Sequence, residues 1–309
     1  MEVSSHGLDQ GRANGIEFDV AVFTNLSQDH LDYHGSMDRY GQAKRKLFEF
    51  ESLQCAVINA DDPFGQELID YCDSRGLRRI TYGRHTADLV PSDLKLDTRG
   101  SRFSINLGSE TCKISTRLLG DVNVPNVLAV AGALLALGWK LERIAPILAE
   151  LEPPPGRMEV FRGDGNGPTV VVDYAHTPDA LQRALASLQV LSPGRVFAVF
   201  GCGGDRDQDK RPKMGQIAQQ HADVCIVTDD NPRTEPPRLI VDQILTGMTG
   251  DVQVIHDRVK AVRRAISMAE PDDVILLAGK GHEGYQNIGS EVLDLSDREF
   301  VTRLLEERR

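Results

Sequence analysis

The chain has 309 residues, 40% of them hydrophobic, and a formal net charge of -11. That length supports two domains with a sizeable core, and the acidic balance argues against nonspecific binding to nucleic acid or to an anionic membrane surface. The five cysteines show no paired metal spacing; no apolar run approaches the ~20 residues of a membrane helix and no basic-then-apolar leader opens the chain, so a soluble protein of the reduced cytoplasm is expected.

In chain order, the first half reads as a strand over 18–24, a helix over 37–48, a strand over 55–58, a helix over 63–75 and a short strand near Ile80. Residues 88–117 alternate apolar and polar between turn signals, the pattern of antiparallel strands. Helices over 124–137 and 141–151 close this half. The run Glu152-Pro153-Pro154-Pro155-Gly156 cannot continue a helix and stiffens a connector, so domains are expected at 1–153 and 154–309. The second half alternates strands (169–172, 196–200, 224–227, 252–256, 274–277) with helices (178–190, 212–221, 236–248, 259–269, 297–307). That rhythm predicts a mostly parallel, doubly wound sheet.

Polar clusters follow four of these strands, at 173–176, 201–205, 229–233 and 279–283. Strand ends of a parallel sheet share one edge, so the clusters are expected to line one crevice. In Thr228-Asp229-Asp230-Asn231-Pro232-Arg233-Thr234-Glu235, Arg233 supplies a planar, permanently charged fork suited to a carboxylate. Gly201-Cys202-Gly203-Gly204-Asp205 looks like a dinucleotide loop but does not satisfy G-x-G-x-x-G. Lys280 and His282 read as solvated loop residues, and Asn123 reads as a helix cap.

The Asp230-Asn231-Pro232-Arg233 block resembles the signature of Mur ligases that add meso-diaminopimelate to the peptidoglycan peptide. Met1-Glu2-Val3-Ser4-Ser5-His6-Gly7-Leu8, Asp173-Tyr174-Ala175-His176-Thr177-Pro178 and Ala278-Gly279-Lys280-Gly281-His282-Glu283 resemble further blocks of that family, in order and over nearly the whole chain. The resemblance implies part of the central, ATPase-type domain followed by a doubly wound, Rossmann-like carboxyl-terminal domain. It implies ATP-dependent amide formation: a carboxylate of the UDP-N-acetylmuramoyl-L-alanyl-D-glutamate acceptor attacks the γ-phosphate, and the amine of diaminopimelate displaces phosphate from the acyl phosphate.

By the same resemblance, Glu2 and His30 hold magnesium, with His30 in Asp29-His30-Leu31-Asp32-Tyr33-His34. Lys44 is carbamylated by carbon dioxide and acts as an anion; Lys46 does not match. Asn123, Asn126, Arg157 and Asp173 match nucleotide-proximal positions. Ser4 and Arg12 match residues at the acceptor's glutamyl end. Arg206, Asp230, Asn231, Arg233, Gly279 and Glu283 match the diaminopimelate site. His176 faces the cleft without a catalytic role.

The family also carries a uridine-nucleotide domain and a phosphate-binding loop. The pattern G-x-x-x-x-G-K-[ST] occurs nowhere in these 309 residues. Residues 1–4 match a strand of the central domain. The chain is therefore expected to be a fragment, a misplaced start or one piece of a split gene, inactive alone, with its central sheet exposing an edge. Two alternatives stay open at this point: a lysine-adding, folylpolyglutamate-type or cyanophycin-type ligase, and an inactive module that binds an amino acid or a partner chain.

Overall fold

Strands buried on both faces must be apolar throughout, and the central strands here obey that rule. Ala56, Val57 and Ile58, the run 170–172, the run 197–200 and the run 275–277 have no exposed area. The computed structural model describes residues 1–27, 30–163, 167–250 and 252–307. It divides into two units, Met1–Arg117 with Asp121–Leu151, and Leu118–Gly120 with Glu152–Arg309.

The first unit contains α1 (Ser5–Asp9), β1 (Val20–Phe23), α2 (Leu31–His34), α3 (Met37–Arg45), β2 (Cys55–Asn59), α4 (Pro63–Ser74), β3 (Arg79–Tyr82), β4 (Leu89–Asp97), β5 (Gly100–Leu107), β6 (Glu110–Thr116), α5 (Asn123–Ala136) and α6 (Leu141–Ala149). Its sheet runs in the order β1-β2-β3-β4-β5-β6, parallel from β1 to β4 and antiparallel from β4 to β6. One face packs Phe23, Ala56 and Ile58 against Phe48, Leu68 and Cys72. Helix α5 lies on β2 and β3. Gly132 permits that approach, since a Cβ there would meet Val57 Cγ1 at 2.7 Å.

Residues 1–4 form no strand, contrary to expectation. Ser4 is instead the N-cap of α1, its Oγ accepting from the Gly7 N–H at 3.0 Å. That bond satisfies a donor the helix leaves orphaned. Helix α3 also ends sooner than expected, passing into a 3-10 turn at Lys46–Glu49.

The second unit contains β7 (Glu159–Phe161), β8 (Thr169–Asp173), α7 (Pro178–Leu191), β9 (Val196–Phe200), α8 (Lys210–His221), β10 (Val224–Val227), α9 (Pro237–Leu245), β11 (Gln253–Val254), α10 (Arg258–Met268), β12 (Val274–Ala278), β13 (Tyr285–Ile288), β14 (Glu291–Asp294) and α11 (Asp297–Glu306). The order is β11-β10-β9-β12-β8-β7, parallel except for β7. Helices α10 and α11 pack Val262, Ala265, Phe300 and Val301 on alternate residues of the strands, including Val170, Val172, Val199 and Leu277. Helices α7, α8 and α9 pack side by side. Strand β11 is shorter than expected, and the β13–β14 hairpin is an addition to the expected elements. Among the described residues, no helix is long and apolar enough to cross a membrane.

One buried ion pair ties this unit's helices to its sheet. Arg258 and Asp297 have no exposed side-chain area. Arg258 donates from Nε to Asp297 Oδ1 at 2.8 Å, and from Nη2 to Asp297 Oδ2 at 2.6 Å and to the Ala278 carbonyl at 3.0 Å. Removing one partner of such a pair strands the other charge. Asp297→Ala should therefore destabilise the unit by about 3–5 kcal/mol in denaturant unfolding. Glu307→Ala, which breaks the exposed Arg263–Glu307 pair, should change it by less than about 1 kcal/mol. Equal effects would show that burial does not set the strength of these pairs.

Candidate functional site

The loops after β8, β9, β10 and β12 leave the same edge of the second unit's sheet, since all four strands are parallel neighbours. The first two to meet are those after β9 and β10. The Gly204 N–H donates to the Asn231 carbonyl at 2.9 Å, and Arg233 Nη1 donates to the Gly204 carbonyl at 2.7 Å. Thr234 donates to Asp205 from its N–H at 3.0 Å and its hydroxyl at 2.8 Å. Those donors, the backbone N–H first, hold the Asp205 carboxyl below its ordinary range. Beneath them lies Arg211, fully buried. It donates to both Glu235 oxygens at 2.9 Å and to the Gly203 carbonyl at 3.1 Å, so one side chain fastens both loops.

Arg233 adopts a left-handed backbone, φ 53°, which is uncommon for a residue with a Cβ. The β13–β14 hairpin holds it there. The Arg233 N–H donates to the Asn287 carbonyl at 3.0 Å, and the Gly289 N–H donates to the Arg233 carbonyl at 2.6 Å. A Cβ on Gly203 would lie 2.9 Å from Arg233 Nη1 and 3.8 Å from Arg206 Cγ. The two arginines thus flank a bare glycine, and Arg206 is exposed.

The loops after β10 and β12 meet through Asn231, which is 3% exposed. Its Nδ2 donates to Glu283 Oε2 at 2.8 Å. Its Oδ1 accepts from Lys280 Nζ at 3.1 Å and from the Asn287 N–H at 3.0 Å. Lys280 Nζ is also 3.5 Å from Glu283 Oε2. The expectation of a solvated Lys280 is therefore corrected: it has no exposed area. Left-handed glycines on either side, Gly279 at φ 113° and Gly281 at φ 52°, turn the backbone around it. Burial lowers its pKa below 10.5, against the pull of the Asp230 carboxylate. Gly279 packs against Asp230, where a Cβ would collide with the carboxylate. His282 is exposed, as expected, 5.5 Å from the Tyr174 ring, and exposed His176 bonds the Tyr174 carbonyl at 2.8 Å.

Of the nucleotide candidates in this unit, the Arg157 guanidinium sits 4.7 Å over the Tyr174 ring. Asp173 accepts from the Met158 and Ala175 N–H groups at 2.8 Å. Burial pushes its pKa above 3.8 despite those donors.

In the first unit, a cavity of about 570 Å³ runs along the edge strand β1, and Glu2, Ser4, His30, Tyr40 and Lys44 line it. Lys44 Nζ lies 5.1 Å from the Tyr40 ring centre. Lys46 is not among the lining residues; it pairs with Asp9 at 2.7 Å. Arg12 is exposed and adjoins Ser4 across Gly7, whose Cβ position is 3.2 Å from Ser4 Oγ and 3.9 Å from Arg12 Nε. Asn123 is not a cap. It is the first residue of α5, the cap position belongs to Val122, and Asn123 Oδ1 accepts from Asn126 Nδ2 at 3.0 Å. Asp29 lies outside the described residues. Among the described residues, no three His, Cys, Asp or Glu side chains converge as a metal set.

The sequence thus pointed to Arg206, Asp230, Asn231, Arg233, Gly279 and Glu283, passed over Arg211, and placed Lys280 in solvent. The glycines flanking Lys280 were a signal for the latter, because such a turn can bury what lies between.

The fold and the loop edge define a two-unit α/β protein whose second unit gathers polar loops at the carboxyl ends of parallel strands. A model of the Mur ligase middle domain matches residues 1–134, and a model of the Mur ligase glutamate ligase domain matches residues 156–281. Among curated proteins, the chain is 49% identical over 300 residues to a UDP-N-acetylmuramoyl-L-alanyl-D-glutamate–2,6-diaminopimelate ligase of Chromobacterium violaceum, covering 96% of this chain and 61% of that protein. It is 48% identical to the protein of the same name from Xylella fastidiosa, covering 99% and 62%. A solved structure of that ligase is 39% identical with a TM-score of 0.75, covering 99% of this chain and 64% of its own. A folylpolyglutamate synthase of Thermotoga maritima, 18% identical with a TM-score of 0.66, shares the fold. The chain belongs to the Mur ligase family. It spans about three fifths of the length of the curated relatives it matches.

The two glycines of the β9 loop separate stability from binding. A Cβ on Gly204 would collide with the Pro232 carbonyl, a backbone atom, whereas on Gly203 its one tight contact is with the tip of Arg233. Gly204→Ala should lower the thermal midpoint clearly, and Gly203→Ala should leave it nearly unchanged while displacing the Arg233 fork. Equal midpoints for the two variants would refute this division.

Proposed function

We propose that this chain forms two domains, 1–153 and 154–309, of an ATP-dependent ligase that adds meso-diaminopimelate to UDP-N-acetylmuramoyl-L-alanyl-D-glutamate in cytoplasmic peptidoglycan synthesis. The observation that carries this reading is the pair Arg206 and Arg233 flanking Gly203, on the same loop edge as Glu283, Asn231 and Gly279. Diaminopimelate is a zwitterion at both ends. Cationic forks suit its carboxylates, and Glu283 with the Gly279 carbonyl and Asp230 suits its distal ammonium. In the reaction, an acceptor carboxylate oxygen bonds to the γ-phosphorus and ADP leaves. The amine then attacks the acyl carbon, and phosphate leaves with the bond electrons.

Ser4 and Arg12 hold the acceptor's glutamyl end, with Arg12 as its cation. Asn123 and Asn126 present amides able to read a base. Arg157 faces phosphate charge, and Asp173 faces the ribose. Magnesium, when bound with the nucleotide, neutralises phosphoryl charge. A hard cation prefers oxygen ligands, and Glu2 supplies them at the β1 cavity. Lys44 fits there as a carbamate, in which Nζ bonds the carbon of carbon dioxide and a proton is released. Lys46 is engaged by Asp9.

Two experiments test the reading. Calorimetric titration with meso-diaminopimelate and with L-lysine should show a preference for the former. A charge-assisted bond to the distal carboxylate contributes roughly 1.5–3 kcal/mol, a factor of roughly ten to more than a hundred. Arg233→Ala should erase most of the preference, and Arg233→Lys should recover only part, lacking the two parallel bonds. An unchanged preference in Arg233→Ala would move the carboxylate to Arg206. For Lys44, adding carbon-13 bicarbonate should give a carbamate carbon resonance that Lys44→Ala removes and Lys46→Ala keeps. A resonance surviving in Lys44→Ala would refute the assignment.

A further inference from the structure

Lys280 is fully buried beneath loops that carry the candidate amino-acid site, and a buried ammonium is costly unless paired. Its partners are Asn231 Oδ1 at 3.1 Å and Glu283 Oε2 at 3.5 Å. Asn231 in turn donates from Nδ2 to that same Glu283 oxygen at 2.8 Å. The three side chains close a triangle across the loops after β10 and β12. We infer that Lys280 is a positioning residue for the amino-acid ligand: it fixes which way the Asn231 amide faces and holds the Glu283 carboxylate for the ligand's ammonium.

The chemistry follows from the donor inventory. An Asn amide has one accepting end and one donating end. Lys280 is donor-only, so it selects the Asn231 orientation with Oδ1 inward. The Asn287 N–H at 3.0 Å selects the same orientation. The Nδ2 group is then left to face Glu283, and Lys280 and Nδ2 share Glu283 Oε2. Glu283 Oε1 remains available to a ligand ammonium. The other charges acting on Lys280 are Asp230, Arg258 and Asp297, and the Tyr285 ring lies 5.7 Å from its Nζ. Arg258 and Asp297 satisfy each other, and Asp230 joins Glu283 as a second carboxylate beside the ammonium site.

This inference rests on the amino-acid reading of the same loops, and one measurement is independent of it. In the ligand-free wild-type chain, the Asn231 side-chain amide protons, assigned by their loss in Asn231→Asp, should exchange slowly with water and show nuclear Overhauser contacts to the Lys280 ε-methylene. Fast exchange without those contacts overturns the inference. In Lys280→Met, which preserves the apolar stem, the amide protons should exchange faster. Calorimetry would then compare meso-diaminopimelate with 2-aminopimelate, which keeps both carboxylates and lacks one ammonium. The wild-type preference for diaminopimelate should fall about tenfold or more in Lys280→Met. A uniform loss for both ligands, or an unchanged ratio, overturns the positioning role. If wild type binds neither ligand, the amino-acid reading fails and with it the ligand role of Lys280, while the amide measurement still judges the triangle.

Discussion

Buried cations organise the loop edge of the second unit, because each must find anionic or carbonyl partners within reach. Arg211, Arg258 and Lys280 are all fully buried. Each finds partners on two different segments of chain. Arg211 joins the Gly203 carbonyl to Glu235, Arg258 joins the Ala278 carbonyl to Asp297, and Lys280 joins Asn231 to Glu283. The strands of a parallel sheet already bring loop ends to one edge. The cations turn that proximity into fixed geometry.

The division between buried and accessible cations follows from the same physics. A guanidinium whose donors are saturated inside the protein has nothing left for a ligand. Arg211 and Arg258 are buried, and their bonded donors all go to protein groups, so they serve the scaffold, although Arg211 Nε and Arg258 Nη1 have no hydrogen-bond partner among the described residues. Arg206 is exposed, and Arg233 commits one Nη to the Gly204 carbonyl. The left-handed backbone of Arg233 is held from the other side by Asn287 and Gly289. The β13–β14 hairpin therefore has a purpose that its exposed Val292 and Leu293 do not suggest: it clamps the Arg233 turn, with Gln286 donating to the Asp230 carbonyl at 2.7 Å.

Much of this was legible in the residues. The runs 170–172, 197–200 and 275–277 are apolar at every position, and the alternation with amphipathic helices fixes a doubly wound sheet. The polar clusters after those strands located the loop edge. What stayed hidden depends on contacts distant in sequence. Lys280 meets Asn231 across 49 residues, and Arg258 meets Asp297 across 39. No local pattern marks Arg258 as buried, and the flanking glycines are the local sign for Lys280. Strand β14 has every residue exposed, so it lacks the alternation that reveals strands facing a core. Residues 1–4, expected from the family resemblance to be a strand, lead instead into the N-cap of α1, whose extended backbone lies in the same region as a strand's.

The first unit poses a choice between two lysines two positions apart, and helix geometry resolves it. Residues i and i+2 on a helix face roughly opposite ways. Here one lysine reaches Asp9 and the other borders the β1 cavity with Glu2 and His30. An ammonium has no lone pair with which to attack carbon dioxide, so a lysine must give up a proton before it is carbamylated. Carbamylation at Lys46 would first have to break its 2.7 Å ion pair. Lys44 borders the cavity beside the Tyr40 ring. The proposed carbamate falls on Lys44 rather than Lys46, because the cavity borders the first and Asp9 pairs with the second.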